Sequence, residues 1–170
     1  DLYIGTYKLC QKKWLKMFDQ VVLKNNFLTK KECNSLISFY KKNKPDKWYS
    51  TFPLDLNLNH HSSLIKKLNK ISIQLNNSVV DYFQIVKWPA PNEGKSLHTD
   101  SARSHTSLSS IVYLNDEFEG GHTYFEDGTS FAPLTGRAIF FDGQYFVHGV
   151  SEIKNKDRYT IAIWFKKNEF

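Results

Sequence analysis

The 170-residue sequence predicts a mainly β fold with flanking helices. At residue 80 the period of the apolar residues changes from 3.6, which is typical of helices, to 2, which is typical of strands. Short segments of the second kind are separated by turn residues such as Asp127-Gly128, and no helical pattern lies between them. Many short strands without alternating helices are typical of an antiparallel sandwich or barrel. The predicted strands are residues 81–88, 95–100, 106–114, 121–126, 130–132, 137–142, 145–150 and 157–166.

The first 80 residues contain the signals for one short strand and two helices. Residues 21–28 are predicted to form a strand that leads into the first helix. The segment Thr29-Lys30-Lys31-Glu32 is a capping box, so this helix is predicted over residues 30–43 and ends at Lys44-Pro45-Asp46. A second helix is predicted to begin at Ser62 or Ser63. Residues 46–61, between the two helices, are expected to be irregular and are a candidate substrate lid.

The last predicted strand indicates which face of the sheet is covered. Its side chains alternate between two sets, which are Arg158, Thr160, Ala162 and Trp164 on one face and Tyr159, Ile161, Ile163 and Phe165 on the other. The second set is wholly apolar, so the helices are expected to cover it and to leave the first set facing an interior cavity. This arrangement is a double-stranded β-helix, or jelly roll, backed by N-terminal helices. We therefore predict one domain over residues 1–170, with supporting elements in 1–78 and a catalytic core in 79–170.

The net charge of +6 is unevenly distributed along the chain. Residues 1–70 hold 14 lysines against 5 acidic residues, whereas residues 71–170 hold 9 basic and 12 acidic residues. This imbalance predicts a solvated lysine face, with an acidic or nucleic-acid partner as the alternative. No apolar stretch is long enough for a membrane span and no signal peptide is recognisable. Two cysteines without CxxC spacing are typical of a reduced protein, so we expect a cytoplasmic location. A monomer or weak homodimer is also expected.

His98, Asp100 and His148 are the candidate metal ligands. In an extended strand, His98 and Asp100 point to the same face because they lie two residues apart. His148 lies within the apolar residues 146–150, where a histidine without a partner would be costly. Two imidazoles and one carboxylate are the ligand set of a non-haem Fe(II) oxygenase, and they leave coordination positions open for a chelating ligand and O2.

Several other segments accompany these ligands along the chain. They are residues 27–33, Tyr113-Leu114-Asn115, Gly120-Gly121-His122-Thr123-Tyr124-Phe125, Gly136-Arg137-Ala138-Ile139-Phe140-Phe141 and Arg158-Tyr159-Thr160-Ile161-Ala162-Ile163-Trp164. In composition and order, these segments resemble the prolyl-4-hydroxylase branch of the 2-oxoglutarate oxygenases. The resemblance extends over about residues 20–166.

The resemblance implies roles for the four residues that define the site. His98, Asp100 and His148 match the iron ligands of that branch. Arg158, ten residues after His148, matches the basic residue that pairs with the distal carboxylate of 2-oxoglutarate. A guanidinium can form a bidentate hydrogen bond with that carboxylate.

Three further residues are expected around the co-substrate. Tyr113 matches a tyrosine whose hydroxyl donates to the same carboxylate, and Thr160 lies on the strand face of Arg158, where it could add another donor. Trp88 stands where the branch carries a tyrosine, so it is expected to form a wall of the co-substrate pocket.

The resemblance implies hydroxylation of an unactivated C–H bond with Fe(II), 2-oxoglutarate and O2, with ascorbate as reductant and with release of succinate and CO2. Prolyl residues of a peptide or protein are the first expected substrate, and a free amino acid or other small metabolite is the alternative. A nucleic-acid oxygenase is less favoured, because the nucleic-acid demethylase branch of these oxygenases is expected to carry a second arginine after Arg158, and this sequence lacks it. A cupin-like binding module with an inert metal is the non-enzymatic alternative.

Overall fold

The computed structural model describes residues 2–6, 20–46, 48–100 and 104–169. In chain order, the elements of this part of the chain are β1 (Leu2–Thr6), β2 (Gln20–Lys24), α1 (Lys30–Asn43), β3 (Phe52–Asp55), α2 (Ser62–Asn76), β4 (Ser78–Trp88), β5 (Lys95–His98), β6 (Thr106–Tyr113), β7 (Glu119–Gly120), β8 (Thr123–Phe125), β9 (Ser130–Phe131), β10 (Ala138–Phe141), β11 (His148–Val150), β12 (Ile153–Lys154) and β13 (Arg158–Lys167).

The strands form a major and a minor antiparallel sheet that face one another. The major sheet has seven strands in the order β1-β2-β10-β6-β13-β4-β3, and the minor sheet has four in the order β5-β11-β8-β9. A short β12-β7 pair lies beside them. Residues of both sheets line one interior cavity. The predicted mainly β jelly roll with two N-terminal helices is therefore confirmed.

Helix α1 begins and ends where the local sequence signals place it. The Thr29 hydroxyl accepts a hydrogen bond from the Glu32 amide at 3.2 Å, and the Glu32 carboxylate accepts one from the Thr29 amide at 2.8 Å. These reciprocal bonds satisfy two of the amides that a helix N-terminus leaves free. The helix ends at Asn43, because Lys44 precedes Pro45 and the proline ring disfavours the helical conformation for the residue before it.

Both helices contribute to one apolar core on the outer face of the major sheet. Leu64 and Leu68 of α2 and Tyr40 of α1 lie in this core. The alternate residues of β13 that were predicted to need a cover lie in the same cluster, and they are Tyr159, Ile161, Ile163 and Phe165. Full burial of one such side chain contributes about 1.5–3 kcal/mol to stability. The core thus fixes which face of β13 is left for the cavity, as the alternation predicted.

Several predicted boundaries were wrong. The strand predicted over 21–28 is β2, which ends at Lys24. Within the stretch 46–61, β3 pairs with β4 along the edge of the major sheet, so this stretch is not wholly irregular. Strand β5 ends at His98, so Asp100 lies just beyond it, and β11 begins only at His148 because a turn occupies the residues before it. None of the helices in the described part of the chain has both the length and the apolar character that a bilayer span requires.

Candidate functional site

The three predicted metal ligands lie together at the junction of β5 and β11. His98 and His148 are directly opposite one another in the strand pairing, and their ring centroids are 4.4 Å apart. Asp100 follows the end of β5, and its Oδ1 atom is 3.8 Å from Nε2 of His148. Nitrogen and oxygen atoms of the three side chains all lie within 4.8 Å of one another. This separation is compatible with one metal ion bound by all three.

Each histidine is oriented by a carbonyl oxygen two residues before it. Nδ1 of His98 lies 2.9 Å from the Ser96 carbonyl oxygen, and Nδ1 of His148 lies 2.9 Å from that of Phe146. A carbonyl oxygen only accepts, so each Nδ1 carries the hydrogen and each Nε2 keeps its lone pair. Burial lowers the pKa of both imidazoles, which keeps them in the neutral form that a metal requires.

The Asp100 carboxylate is held by two neighbours from other elements. Its Oδ2 atom accepts a hydrogen bond from the Ser109 hydroxyl at 2.6 Å, and its amide donates to the Gly143 carbonyl oxygen at 2.7 Å. A Cβ atom on Gly143 would overlap both Asp100 Oδ2 and Ser109 Oγ, so only glycine leaves room for the carboxylate here. Such outer partners orient a metal ligand and leave its other oxygen directed at the metal.

A cavity of about 360 Å³ opens beside this cluster. Its lining includes Gln84, Val86, Trp88, Ser109, Ile111, Arg158, Thr160, Ala162 and Trp164 from the major sheet, and His98, Asp100, Thr123, His148 and Val150 from the side of the minor sheet. Ser50, Thr51 and Lys95 also line it, so the segment proposed as a lid borders the cavity. The volume is within the usual range for small-molecule sites, about 300–1,000 Å³.

Arg158 lies in this cavity as a buried cation, with a side chain 1% exposed. Its Nε atom donates to the Gly121 carbonyl oxygen at 3.0 Å, and Nη1 lies 3.5 Å from the Thr160 hydroxyl. The guanidinium carbon is 5.6 Å from the ring centroid of Trp88 and 5.3 Å from that of Tyr113. Within the described ranges no carboxylate pairs with it, and burial lowers the pKa of the guanidinium. A buried cation of this kind needs an anionic partner, which a ligand would supply.

Tyr113, Thr160 and Trp88 differ in how they relate to the cavity. Trp88 and Thr160 both line it, and their predicted roles as a co-substrate pocket wall and a further donor stay predictions. Tyr113 is fully buried and is not part of the lining, although its ring contacts Arg158. Its hydroxyl lies 2.6 Å from Thr123 Oγ1 and donates to the Phe131 carbonyl oxygen at 3.2 Å. The hydrogen bond predicted from this hydroxyl to a co-substrate stays a prediction.

The sequence did not point to Ser109 or Gly143. Asp142-Gly143 was predicted only as a turn, and the Asp142 carboxylate does accept the amides of Gln144 and Tyr145 in one. The contacts of Gly143 and Ser109 with Asp100 join residues that lie 9 to 43 positions apart. A serine within a strand and a glycine within a turn have no local pattern that would reveal such contacts.

Comparisons with known proteins agree on one family. Residues 83–166 match the family model of the 2OG-Fe(II) oxygenase superfamily. A provisionally named prolyl 4-hydroxylase of Acanthamoeba polyphaga mimivirus is 30% identical over 73 residues, or 37% of this chain. Prolyl 3-hydroxylase 1 of Gallus gallus is 39% identical over 71 residues, or 38% of this chain. The aligned part is 30% of the viral protein and 10% of the chicken protein, so the chain corresponds to a minor part of these relatives.

Solved structures share the fold across most of the chain. A viral collagen prolyl hydroxylase of Paramecium Bursaria Chlorella virus-1, in complex with 2OG, aligns with a TM-score of 0.73 at 19% identity over 87% of this chain and 96% of the other. A prolyl hydroxylase bound to a hypoxia inducible factor peptide from Trichoplax adhaerens aligns with a TM-score of 0.68 at 16% identity over 86% and 83% of the two chains. At these identities the likeness is one of fold.

Proposed function

Because the chain belongs, through residues 83–166, to the 2OG-Fe(II) oxygenase superfamily, we propose that it hydroxylates prolyl residues of a peptide or protein. One observation carries the proposal. Three metal-binding side chains, His98, Asp100 and His148, border the same cavity as Arg158, a buried cation without an acidic partner in the described residues. A metal and a carboxylate-bearing co-substrate would complete this arrangement.

The donor set fits Fe(II). Nε2 of His98, Nε2 of His148 and one oxygen of Asp100 would hold the ion on one side and leave its other positions open. When bound, the iron would activate O2, so that one oxygen atom enters the C–H bond of the substrate and the other enters succinate, which forms from 2-oxoglutarate with loss of CO2. The chain contributes two neutral imidazoles and a fixed carboxylate. Ascorbate is the proposed reductant for keeping the iron in the Fe(II) state.

The opposite part of the cavity fits the co-substrate. Arg158 would pair with the carboxylate of 2-oxoglutarate that is far from the metal, and the Thr160 hydroxyl would add a hydrogen bond beside it. Trp88 would exclude water from that pair, which strengthens it. Tyr113 supports the guanidinium through its ring, and its hydroxyl would reach the carboxylate only by leaving the Phe131 carbonyl oxygen.

Peptidyl proline is the proposed substrate because prolyl hydroxylases recur among the similar proteins. Ser50 and Lys95 of the cavity lining are exposed, so we propose that a peptide enters the cavity beside them. We keep the division into supporting residues 1–78 and catalytic residues 79–170 as part of the proposal. The cytoplasmic location and the monomeric or weakly dimeric state also stay predictions, which cell fractionation and sedimentation would check.

The test is succinate formation with Fe(II), 2-oxoglutarate and ascorbate, with and without a pool of proline-containing peptides, followed by peptide mass spectrometry. We expect succinate to increase with peptide and one oxygen to appear on proline. Asp100→Ala should abolish both signals, whereas Asp127→Ala, which removes a carboxylate from the exposed turn between β8 and β9, should leave them unchanged. Slow succinate formation that no peptide stimulates would redirect the assignment to a small metabolite. Turnover that survives Asp100→Ala would refute the metal site.

A further inference from the structure

Asn115 forms a bridge between the two residues that flank Arg158. Its Oδ1 atom accepts a hydrogen bond from the Tyr159 amide at 2.8 Å, and its Nδ2 atom donates to the Asp157 carbonyl oxygen at 2.9 Å. It lies just past the end of β6, where the Leu114 amide makes a backbone bond with the Tyr159 carbonyl oxygen at 2.9 Å. The side-chain amide thus continues the hydrogen bonding of β6 to β13 beyond the last paired residues.

A second attachment fixes the start of β13 from the other side. The Asp157 carboxylate accepts the Ala90 amide at 3.0 Å and pairs with the Lys87 ammonium at 2.8 Å. Asn115 and Asp157 therefore tie the backbone of Arg158 to β6 on one side and to the end of β4 on the other. The position from which the guanidinium projects is set by these two side chains together with the strand pairing of Arg158 with Trp88.

The guanidinium itself has few bonds that could correct a misplaced backbone. It donates once to the Gly121 carbonyl oxygen at 3.0 Å, and its approach to the Thr160 hydroxyl is long, at 3.5 Å. A Cβ atom on Gly121 would lie 2.9 Å from Cδ of Arg158, so the side chain already passes closely between its neighbours. A shift at Arg158 Cα would reach the guanidinium almost undiminished.

We infer that Asn115 is a positioning residue for Arg158, and that it sets both the affinity of the site for dicarboxylate co-substrates and its preference among dicarboxylates of different length. This inference rests on the proposed function. A dicarboxylate bound by the metal at one end and by Arg158 at the other must match the separation of those two groups. Asn115 does not line the cavity, so it acts only through Arg158.

Asn115→Asp tests this with little change in shape. The aspartate keeps an acceptor for the Tyr159 amide, but it replaces the donor to the Asp157 carbonyl oxygen with an oxygen that repels it. The matched control is Asn76→Asp, which makes the same exchange of a donor for an acceptor. Asn76 also makes one bond through each atom of its amide, to the Ser107 carbonyl oxygen and from the Lys167 ammonium, but at the opposite end of the β6–β13 pair.

The measurement is calorimetric titration of the Mn(II)-loaded full chain with oxaloacetate, 2-oxoglutarate and 2-oxoadipate, together with the Mn(II) affinity of each variant. A displaced guanidinium would lose a charge-assisted hydrogen bond to the distal carboxylate, so we expect Asn115→Asp to weaken 2-oxoglutarate binding about 10- to 100-fold. The preference among the three acids should become smaller, and the Mn(II) affinity should not change. Asn76→Asp should leave every value at that of wild type. In turnover assays, Asn115→Asp should raise KM for 2-oxoglutarate while kcat at saturation stays unchanged.

Wild-type affinity and preference in Asn115→Asp would overturn the inference and leave the proposed function standing. Failure of wild type to bind any of the three acids would overturn both. If Asn115→Asp unfolds, it will lose Mn(II) affinity as well. Asn115→Ser is then tested instead, and its affinities for Mn(II) and for 2-oxoglutarate decide the inference in the same way.

Discussion

Replacing Gly143 by alanine would test the packing that holds the Asp100 carboxylate. Gly143 is not among the residues with positive φ, so alanine brings no backbone strain at this position. Its Cβ atom would overlap Asp100 Oδ2 and Ser109 Oγ and would lie 2.9 Å from Asp100 Cγ. Since unstrained contacts between carbon atoms need about 3.5–4.0 Å, the carboxylate must move by roughly 1 Å.

Such a movement should weaken metal binding while the domain stays folded. Loss of an outer partner of a metal ligand typically costs about 10- to 100-fold in metal affinity, which corresponds to roughly 1.4–2.8 kcal/mol. Overpacking of a buried position costs about 1–3 kcal/mol of unfolding free energy, which a stable domain tolerates. We therefore expect Gly143→Ala to fold and to bind Mn(II) about 10- to 100-fold more weakly than wild type.

The assay is calorimetric titration of the metal-free protein with Mn(II), alongside urea denaturation. Gly128→Ala is the control, because a Cβ atom there has no neighbour within 4 Å although its φ of +89° strains an alanine. It should lose about 1 kcal/mol of stability and keep wild-type Mn(II) affinity. Equal Mn(II) affinity in Gly143→Ala and wild type would refute the reasoning, because Asp100 would then be free to move or would not bind the metal.

A side-chain deletion, a capping variant and a change of pH test other parts of the molecule. Ser109→Ala removes the hydrogen bond to Asp100 Oδ2, and we expect Mn(II) affinity to fall about tenfold by calorimetry; an unchanged value would show that the bond does not orient the ligand. Thr29→Ala removes the cap of α1 and should cost about 1 kcal/mol in urea denaturation without changing Mn(II) affinity. Burial lowers the pKa of His148 from its ordinary value of 6.5 in the folded, metal-free protein. Well above pH 6.5 the imidazole is neutral in both the folded and the unfolded chain. As the pH falls, the unfolded chain binds the proton first, and this favours unfolding. Wild type should therefore lose thermal stability relative to His148→Asn between about pH 7 and about pH 5, and a difference that changes in the opposite direction would contradict the lowered pKa.

The parts of the fold that local signals control were predicted well. The limits of α1 follow from Thr29, Glu32 and Pro45, which act within a few residues of one another. The two faces of β13 follow from strict alternation, which persists because one face meets the helices and the other meets the cavity. In both cases the information lies in the segment itself.

Strand β3 was missed because its formation depends on a partner far along the chain. Residues 52–55 lack a clear alternation, and Pro53 has no amide to donate to a ladder. The segment is extended because the edge of β4, whose paired residues lie 29 to 35 positions further along the chain, offers it a pairing register. The short β7–β12 pair was missed for the same reason.

At the candidate site, the candidate ligands were recognisable from residue type, whereas their supports were not. A histidine within an apolar segment stands out in any sequence, as His148 does. Ser109, Gly143 and Asn115 acquire their roles only through contacts made in the folded chain. The direction of the Tyr113 hydroxyl is likewise decided by Thr123 and Phe131, which belong to the opposite sheet.

The burial of Arg158 implies a conflict between stability and ligand binding. The ligand-free fold carries the desolvation cost of a cation for which the described residues provide no counter-charge. We therefore expect Arg158→Met to melt at a higher temperature than wild type when no co-substrate is present, and to gain nothing from added 2-oxoglutarate, whereas wild type does. In the ligand-free fold Arg158 therefore lowers stability, and an anionic ligand that pairs with it would restore what its burial costs.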